Sequence, residues 1–120
     1  MRHLKLLLPI FIGMGVLSAY AQPYPNKPIK LIVGFAPGGA ADYVARNISV
    51  PLGQALGQPI VIENKPGAGS SIAAEQVAKS APDGYTILIA SPSSISVNPA
   101  LSPKLGYKPS DFQPISKITS

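Results

Sequence analysis

The stretch that decides the fold runs from Ile29 to Asp42 and reads IKLIVGFAPGGAAD. An apolar run from Ile29 to Phe35 leads into a turn with one proline and two glycines, and a helical pattern begins at Asp42. The apolar run has few polar interruptions, which predicts a strand buried on both faces. A buried strand that passes through a glycine-rich turn into a helix indicates a β-α-β unit.

The same order continues downstream. Apolar residues at four-residue intervals (Val44, Ile48, Leu52 and Leu56) predict a first helix that Gly57 caps, and Pro51 is expected to kink or split it. Further elements are predicted as a second strand over 60–64, a second helix over 71–81, a third strand over 86–90 and another strand over 112–118. Short connections between alternating strands and helices predict an α/β fold, a parallel-sheet βαβαβ unit joined by right-handed crossovers.

Residues 1–21 have the composition of a secretory signal peptide. A positive start is followed by an apolar stretch from Leu6 to Leu17, and Ala19-Tyr20-Ala21 has the pattern of a cleavage site. The alternative is a retained anchor, but this stretch is shorter than the roughly 20 residues that a transmembrane helix needs. We therefore expect a periplasmic protein in which residues 22–120 form one α/β domain, without insertion into the membrane after cleavage.

The composition excludes several functions. Residues 22–120 carry eight Lys and Arg against five Asp and Glu, scattered rather than clustered, so we expect no nucleic-acid partner. The single histidine, His3, lies in the predicted signal peptide and cysteine is absent, which excludes histidine-dependent triads and cysteine nucleophiles. The carboxylates have no metal-binding spacing and no nucleotide-binding motif is complete. The sequence therefore predicts no enzyme, no cofactor and no metal site.

Three small, polar segments follow the three predicted strands. We name them the first rim loop (Ala36–Ala41), the second rim loop (Lys65–Ser71) and the third rim loop (Ser91–Asn98), because the carboxyl ends of parallel strands share one edge. The first rim loop has no cation, and its backbone N–H groups lead into a helix N-terminus, which suits an anion. The alternative is a tight turn that needs glycine at positive φ. The residues alone leave both interpretations open.

Asp42 is interpreted as the N-cap of the first helix, where its carboxylate would compete with an anionic ligand for the same donors. A direct contact from Asp42 to an amino or hydroxyl group of a ligand is the alternative. The other two rim loops offer glycine N–H groups, serine hydroxyls and one asparagine amide. The candidate ligand-binding residues are Ala36, Gly38, Gly39, Ala40, Asp42, Gly69, Ser70, Ser71, Ser91, Ser93, Ser94 and Asn98.

Several motifs in order resemble a known family. YPNKPIKLIVGFAPGGAAD, LGQPIVIENKPGAGSSIAAEQVAKSAPDGYTILIA and SVNPAL are similar to the Bug receptors, the extracytoplasmic solute-binding proteins of tripartite tricarboxylate transporters. The resemblance spans Tyr24 to the C-terminus. It implies a two-lobed, periplasmic-binding-protein-like (Venus flytrap) fold that clamps a small carboxylate, with the first and third rim loops facing the ligand and the second at the same rim. It also implies the membrane subunits of a tripartite transporter as partners.

Members of that family have roughly 300 residues, whereas this sequence has 120. We therefore expect a partial N-terminal lobe without the second lobe, and a receptor fragment that captures a carboxylate metabolite. The alternative is a truncated, non-binding remnant that acts, if at all, as a structural or interaction module along an unfinished sheet edge.

Overall fold

The computed structural model describes residues 21–119, so the predicted signal peptide lies almost wholly outside the described residues. Three parallel strands form one sheet: β1 (Ile29–Val33), β2 (Ile60–Asn64) and β3 (Thr86–Ile89), in the order β2-β1-β3. β1 is central, with Val33 opposite Asn64 on one side and opposite Ile89 on the other. The prediction of an α/β fold with a parallel sheet is confirmed.

The two main helices pack on opposite faces of this sheet. α1 (Ala40–Leu56) places Ala41, Ala45 and Ile48 against a core formed with Leu31, Val33 and Ile89. Side chains alternate along a strand, so Ile32, which is fully buried, points to the other face. There α2 (Ser71–Ala78) contacts β1 and β3, and its Ala73 and Ala74 are fully buried.

Several element boundaries differ from the prediction. β1 ends at Val33 rather than Phe35, β3 ends at Ile89 rather than Ala90, and α1 begins at Ala40, two residues before Asp42. α2 ends at Ala78 rather than Ala81; the hydroxyl of Ser80 bonds the carbonyl of Gln76, a local bond that competes with continued helix. The bounds of β2 and the left-handed cap at Gly57 (φ 71°) are confirmed.

Pro51 was expected to kink or split the first helix; the split was wrong, because α1 is continuous over 17 residues, and the kink stays a prediction. Pro51 is exposed, and on that side water can satisfy the carbonyl that the missing N–H leaves unpaired. The strand predicted over 112–118 is also absent from the described residues, where 113–119 are exposed and have no strand beside them to pair with.

The segment after β3 is more helical than its composition suggested. A π-helical turn (Ser93–Val97) leads into a short helix, α3 (Asn98–Leu101), and one 3₁₀ turn follows at Pro109–Asp111. Within residues 21–119, no helix combines the length and the apolarity that crossing a bilayer requires.

Candidate functional site

The three rim loops start side by side at the carboxyl edge of the sheet. Val33, Asn64 and Ile89 are the last residues of their strands and lie in register. The loops that leave them therefore meet above β1, and an open α/β sheet binds its ligands at this edge.

The first rim loop ends in unpaired backbone donors. Gly38 adopts a positive φ of 88°, so the tight-turn interpretation holds at that residue, whereas Gly39 is extended (φ −83°, ψ 176°). Gly39 is the N-cap of α1 and provides no side chain to cap it. Within residues 21–119, the N–H groups of Ala40, Ala41 and Asp42 meet no acceptor. This helix terminus therefore presents three free donors and the positive end of the helix dipole.

The prediction that Asp42 caps α1 was wrong in position, because Asp42 lies inside the first turn. Its side chain is 3% exposed and accepts hydrogen bonds from Gly38 N (3.0 Å), Arg46 Nε (2.8 Å) and Asn64 Nδ2 (3.0 Å). The side chain of Asp42 therefore competes for only one donor of the loop, the N–H of Gly38, and among the described residues the N–H groups of Ala40 and Ala41 meet no acceptor.

The charge of Asp42 is compensated where it lies. The hydrogen bond from Arg46 is the largest influence that holds the pKa of the Asp42 carboxyl well below its usual range, and the bonds from Gly38 and Asn64 act in the same direction. Burial opposes this effect. Asp42 in turn raises the pKa of Arg46, so both groups stay ionised at neutral pH.

Asn64 connects the end of β2 to the first rim loop, a role that the sequence did not reveal. Its amide nitrogen donates to Phe35 O (3.0 Å) and to Asp42 Oδ1 (3.0 Å), across 29 and 22 residues of chain. The available sequence signal was an asparagine at the end of a predicted apolar strand, where an amide side chain is unusual.

The second rim loop contains consecutive residues in the left-handed region. The φ angles of Ala68, Gly69 and Ser70 are 48°, 60° and 70°, and Gly67 has φ 131°. Ser70 is 1% exposed, and its hydroxyl has no hydrogen-bond partner among the described residues. It lies against Gly34, where a Cβ would come within 1.7 Å of Ser70 Oγ. The first two rim loops thus meet through a serine and the glycine that makes room for it.

The polar side chains of the third rim loop bond mainly to the protein itself. Ser94 is fully buried, and its hydroxyl accepts from Ser91 N (3.1 Å) and donates to Ser91 O (3.0 Å). Asn98 reaches across to the second rim loop and donates to Ser71 Oγ (2.7 Å). Tyr107, which the sequence reading missed, donates to Ser94 O (2.6 Å) from a buried position.

The candidate residues therefore separate into three groups, which are buried, half-buried and exposed. The buried residues are Asp42, Ser70, Ser71 and Ser94. All of them bond within the protein except Ser70, whose hydroxyl has no partner among the described residues. The half-buried residues are Ser91, Ser93 and Asn98. The backbone of the first rim loop and of Gly69 is exposed, through Ala36, Gly38, Gly39 and Ala40. A depression of about 360 Å³ lies over the first rim loop, lined by Phe35, Ala36, Pro37, Gly39, Ala40 and Ala41. The first rim loop has no polar side chain, so the polar groups that it can offer to a ligand are those of its main chain.

Metal chemistry has no support in the described part of the chain, where no three carboxylate or histidine groups cluster as metal ligands would. A larger depression, about 390 Å³, lies at the opposite edge of the sheet, between the end of α1 and the start of β2. It is far from the rim and contains no charged side chain among its lining residues.

Comparison with known proteins identifies relatives. The model of a family described as "Tripartite tricarboxylate transporter family receptor" matches residues 44–120, more than half of the chain. The protein BugT of Bordetella pertussis is 41% identical over 122 residues, which cover 98% of this chain and 37% of that protein.

Solved structures give the same relationship. MatC of Rhodopseudomonas palustris with bound malate is 43% identical with a TM-score of 0.74, over 79% of this chain and 33% of that one. Rpa4515 of R. palustris with adipate is 34% identical with a TM-score of 0.63, over 73% and 29%. The chain spans about a third of the length of these relatives.

Proposed function

Because the chain belongs to the tripartite tricarboxylate transporter receptor family, a family of solute receptors rather than enzymes, we propose that it contributes the solute-binding rim of a periplasmic receptor for small carboxylates. In this role it captures the solute for the membrane subunits of a tripartite transporter. The donors at the start of α1 are the observation on which the proposal rests.

Those donors suit a carboxylate for electrostatic reasons. Among residues 21–119 the N–H groups of Ala40, Ala41 and Asp42 meet no acceptor, and they lie at the positive end of a 17-residue helix. Hydrogen bonds to a charged group contribute about 1.5–3 kcal/mol each, and the helix dipole adds about 0.3–1 kcal/mol. Three such bonds and the dipole give about 5–10 kcal/mol, of which association costs at least about 4 kcal/mol, so this cluster alone supports an affinity no tighter than roughly tens of micromolar.

The ion pair between Asp42 and Arg46 makes this site compatible with an anion. A bare carboxylate in the first turn of α1 would repel a carboxylate solute at short range. Arg46 Nε lies 2.8 Å from Asp42 Oδ2 and compensates that charge. The Asp42 side chain therefore supports the site by shaping the loop, through Gly38 and Asn64, and only the backbone N–H of Asp42 contacts the solute in this proposal.

The chemical class of the solute is supported by relatives. MatC holds malate and Rpa4515 holds adipate, and both solutes are dicarboxylates of different length. The free donors at α1 form one cluster among the described residues, which suits one carboxylate of such a solute. We assign this cluster, with the exposed backbone of Ala36, Gly39 and Gly69, to the solute; the buried hydroxyls of Ser71 and Ser94 hold the rim in shape.

Calorimetric titration tests the proposal. The purified protein is titrated with malate, succinate and adipate, and with the corresponding diamides as neutral controls of the same length. Heat of binding is expected for at least one dicarboxylate and for none of the diamides, because the N–H cluster recognises negative charge. Equal binding of acids and diamides, or no binding of any acid, would contradict the proposal.

A further inference from the structure

The second rim loop holds a backbone shape that its own residues disfavour. Ala68 and Ser70 carry a Cβ, yet both adopt left-handed φ angles on either side of Gly69. Left-handed backbone is rare for residues other than glycine and rarer still in succession. Such a turn persists when contacts from outside it determine its shape.

Asn98 provides those outside contacts. Its Nδ2 lies 3.0 Å from Gly69 O, 3.3 Å from Ala68 O and 2.7 Å from Ser71 Oγ, all across 27–30 residues of chain. An amide nitrogen has two hydrogens, so these three acceptors share two donors. A Cβ at Gly69 would approach Asn98 Nδ2 to 3.2 Å, which shows how closely the amide covers the turn.

The turn also places the side chain of Ser70 where its hydroxyl forms no hydrogen bond with any described residue. Ser70 lies over the end of β1 against Gly34, and its buried hydroxyl has no partner among the described residues. Strained backbone and an unpaired buried hydroxyl both oppose stability. Their occurrence together at a ligand-binding edge indicates that the shape of the turn is kept for binding.

We propose that Asn98 is a positioning residue for solute binding: its amide locks the turn Ala68–Ser70 in the left-handed shape and so ties the second rim loop to the third. This inference rests on the proposed receptor function. Tyr107 also connects the second and third rim loops, since its hydroxyl lies 2.6 Å from Ser94 O and 3.4 Å from Ser71 Oγ.

The test compares Asn98→Ala and Asn98→Asp with Asn26→Ala as the control. Asn98→Asp keeps the side-chain shape but replaces both donors by an oxygen that repels the carbonyls. Asn26 bonds Tyr85 at the opposite edge of the sheet, so its loss lowers stability without touching the rim. Circular dichroism confirms folding, hydrogen exchange reports on the amides of Ser70 and Ser71, and calorimetry gives the affinity for malate.

Both Asn98 variants are expected to speed exchange by at least about tenfold at the amides of Ser70 and Ser71, which donate hydrogen bonds within the turn, while the amides of α1 are unchanged. Affinity for the dicarboxylate that the wild type binds is expected to fall by about tenfold, more in Asn98→Asp than in Asn98→Ala. Asn26→Ala is expected to change neither. If an Asn98 variant does not fold, Tyr107→Phe, which removes one hydroxyl, gives the same readouts with a smaller effect.

The outcomes separate this inference from the proposed function. Unchanged exchange at Ser70 and Ser71, or unchanged affinity in the Asn98 variants, overturns the positioning role while wild-type binding stands. A wild type that binds no dicarboxylate overturns the receptor function and the positioning role with it, whatever the exchange rates show.

Discussion

At the scale of single residues, Asp42 determines the shape of the first rim loop. Its carboxylate joins Gly38 of the loop, Arg46 of α1 and Asn64 of β2 in one hydrogen-bonded group. The low pKa of Asp42 follows from these three donors, so the group is stable only while the carboxylate is ionised.

Asp42→Asn is therefore expected to change the pH dependence of stability. Because the folded pKa lies below the unfolded value of about 3.9, Asp42 stabilises the fold above that pH, and its contribution is lost as pH falls through the folded pKa. Between pH 5 and 7 (about one to three units above that value), the wild type is expected to exceed Asp42→Asn in free energy of unfolding by a constant margin.

Urea denaturation at a series of pH values measures this. Below about pH 4 the two curves are expected to converge. Asp111 also has a lowered pKa, mainly from Lys108, but it is present in both proteins, so the difference between the curves isolates Asp42. A difference that stays the same down to the lowest accessible pH would contradict this account of Asp42.

Ser70 gives a second prediction, in which removing a polar group stabilises the protein. Its buried hydroxyl has no partner in the described part of the chain, so Ser70→Ala is expected to raise the free energy of unfolding by about 1 kcal/mol. Ser94→Ala is the matched control, since that buried hydroxyl is bonded to Ser91; there a loss of about 1 kcal/mol is expected. Denaturant unfolding measures both, and a loss of stability in Ser70→Ala would show that the hydroxyl has a partner in solution.

The sequence predicted some of these residue roles and missed others. The left-handed cap at Gly57 could be predicted from the local sequence, because a glycine that follows an apolar helical stripe indicates the end of a helix without knowledge of tertiary contacts. The pair of Asp42 with Arg46 has a local signal, because the two residues are four apart on one helix. The bond from Asn64 has none, because Asn64 lies 22 residues away in the chain. Asn98 was named as a candidate, but its partners in the second rim loop depend on how the third rim loop folds.

At the scale of elements, β1 organises the sheet. It pairs with both other strands, and four of its five residues are buried. This agrees with the expectation of a strand covered on both faces; Lys30 is the exception, exposed and paired with Glu63 across the sheet at 3.4 Å.

Ile32→Ala tests the importance of the α2 face. Ile32 is fully buried there, so the truncation is expected to lower the free energy of unfolding by about 2–5 kcal/mol. Val61→Ala on β2 is the control; Val61 is 44% exposed, and its truncation is expected to cost less than about 1 kcal/mol. Chemical denaturation measures both, and equal losses would contradict the packing of α2 over β1.

The local sequence pattern predicted the elements that have regular hydrophobic periodicity. It did not predict the segments whose conformation depends on tertiary contacts. β2 and the start of α2 lie where the sequence placed them. The helical turns after β3 were missed, because Ser, Pro and Asn give no periodic signal. Bonds from Ser94, Asn98 and Tyr107 hold that segment instead, and these depend on the assembled rim.

At the scale of the whole molecule, the rim is a connected unit. Asn64 and the contact of Ser70 with Gly34 join the first two rim loops, and Asn98 joins the second to the third. The fold class and the location of the rim followed from the sequence. The sequence did not predict which groups shape the rim and which can bind a solute: buried side chains shape it, while backbone N–H groups at the start of α1 meet no acceptor among the described residues.

The central claim, that these N–H groups hold the carboxylate, is tested most directly by Gly39→Val. Gly39 is extended, and a Cβ there would meet only Ala36 O at 3.6 Å, so the variant is expected to fold, with a melting temperature lowered by a few degrees because valine is a poorer N-cap than glycine. The added methyl groups would cover the donors of Ala40 and Ala41. Ala55→Val adds the same groups on the exposed side near the other end of α1 and is the control.

The measurement is calorimetric affinity for malate in the wild type and both variants. We expect Gly39→Val to bind at least about tenfold more weakly than the wild type, and Ala55→Val to bind equally well. Wild-type affinity in a folded Gly39→Val would contradict the claim that the start of α1 is the carboxylate site.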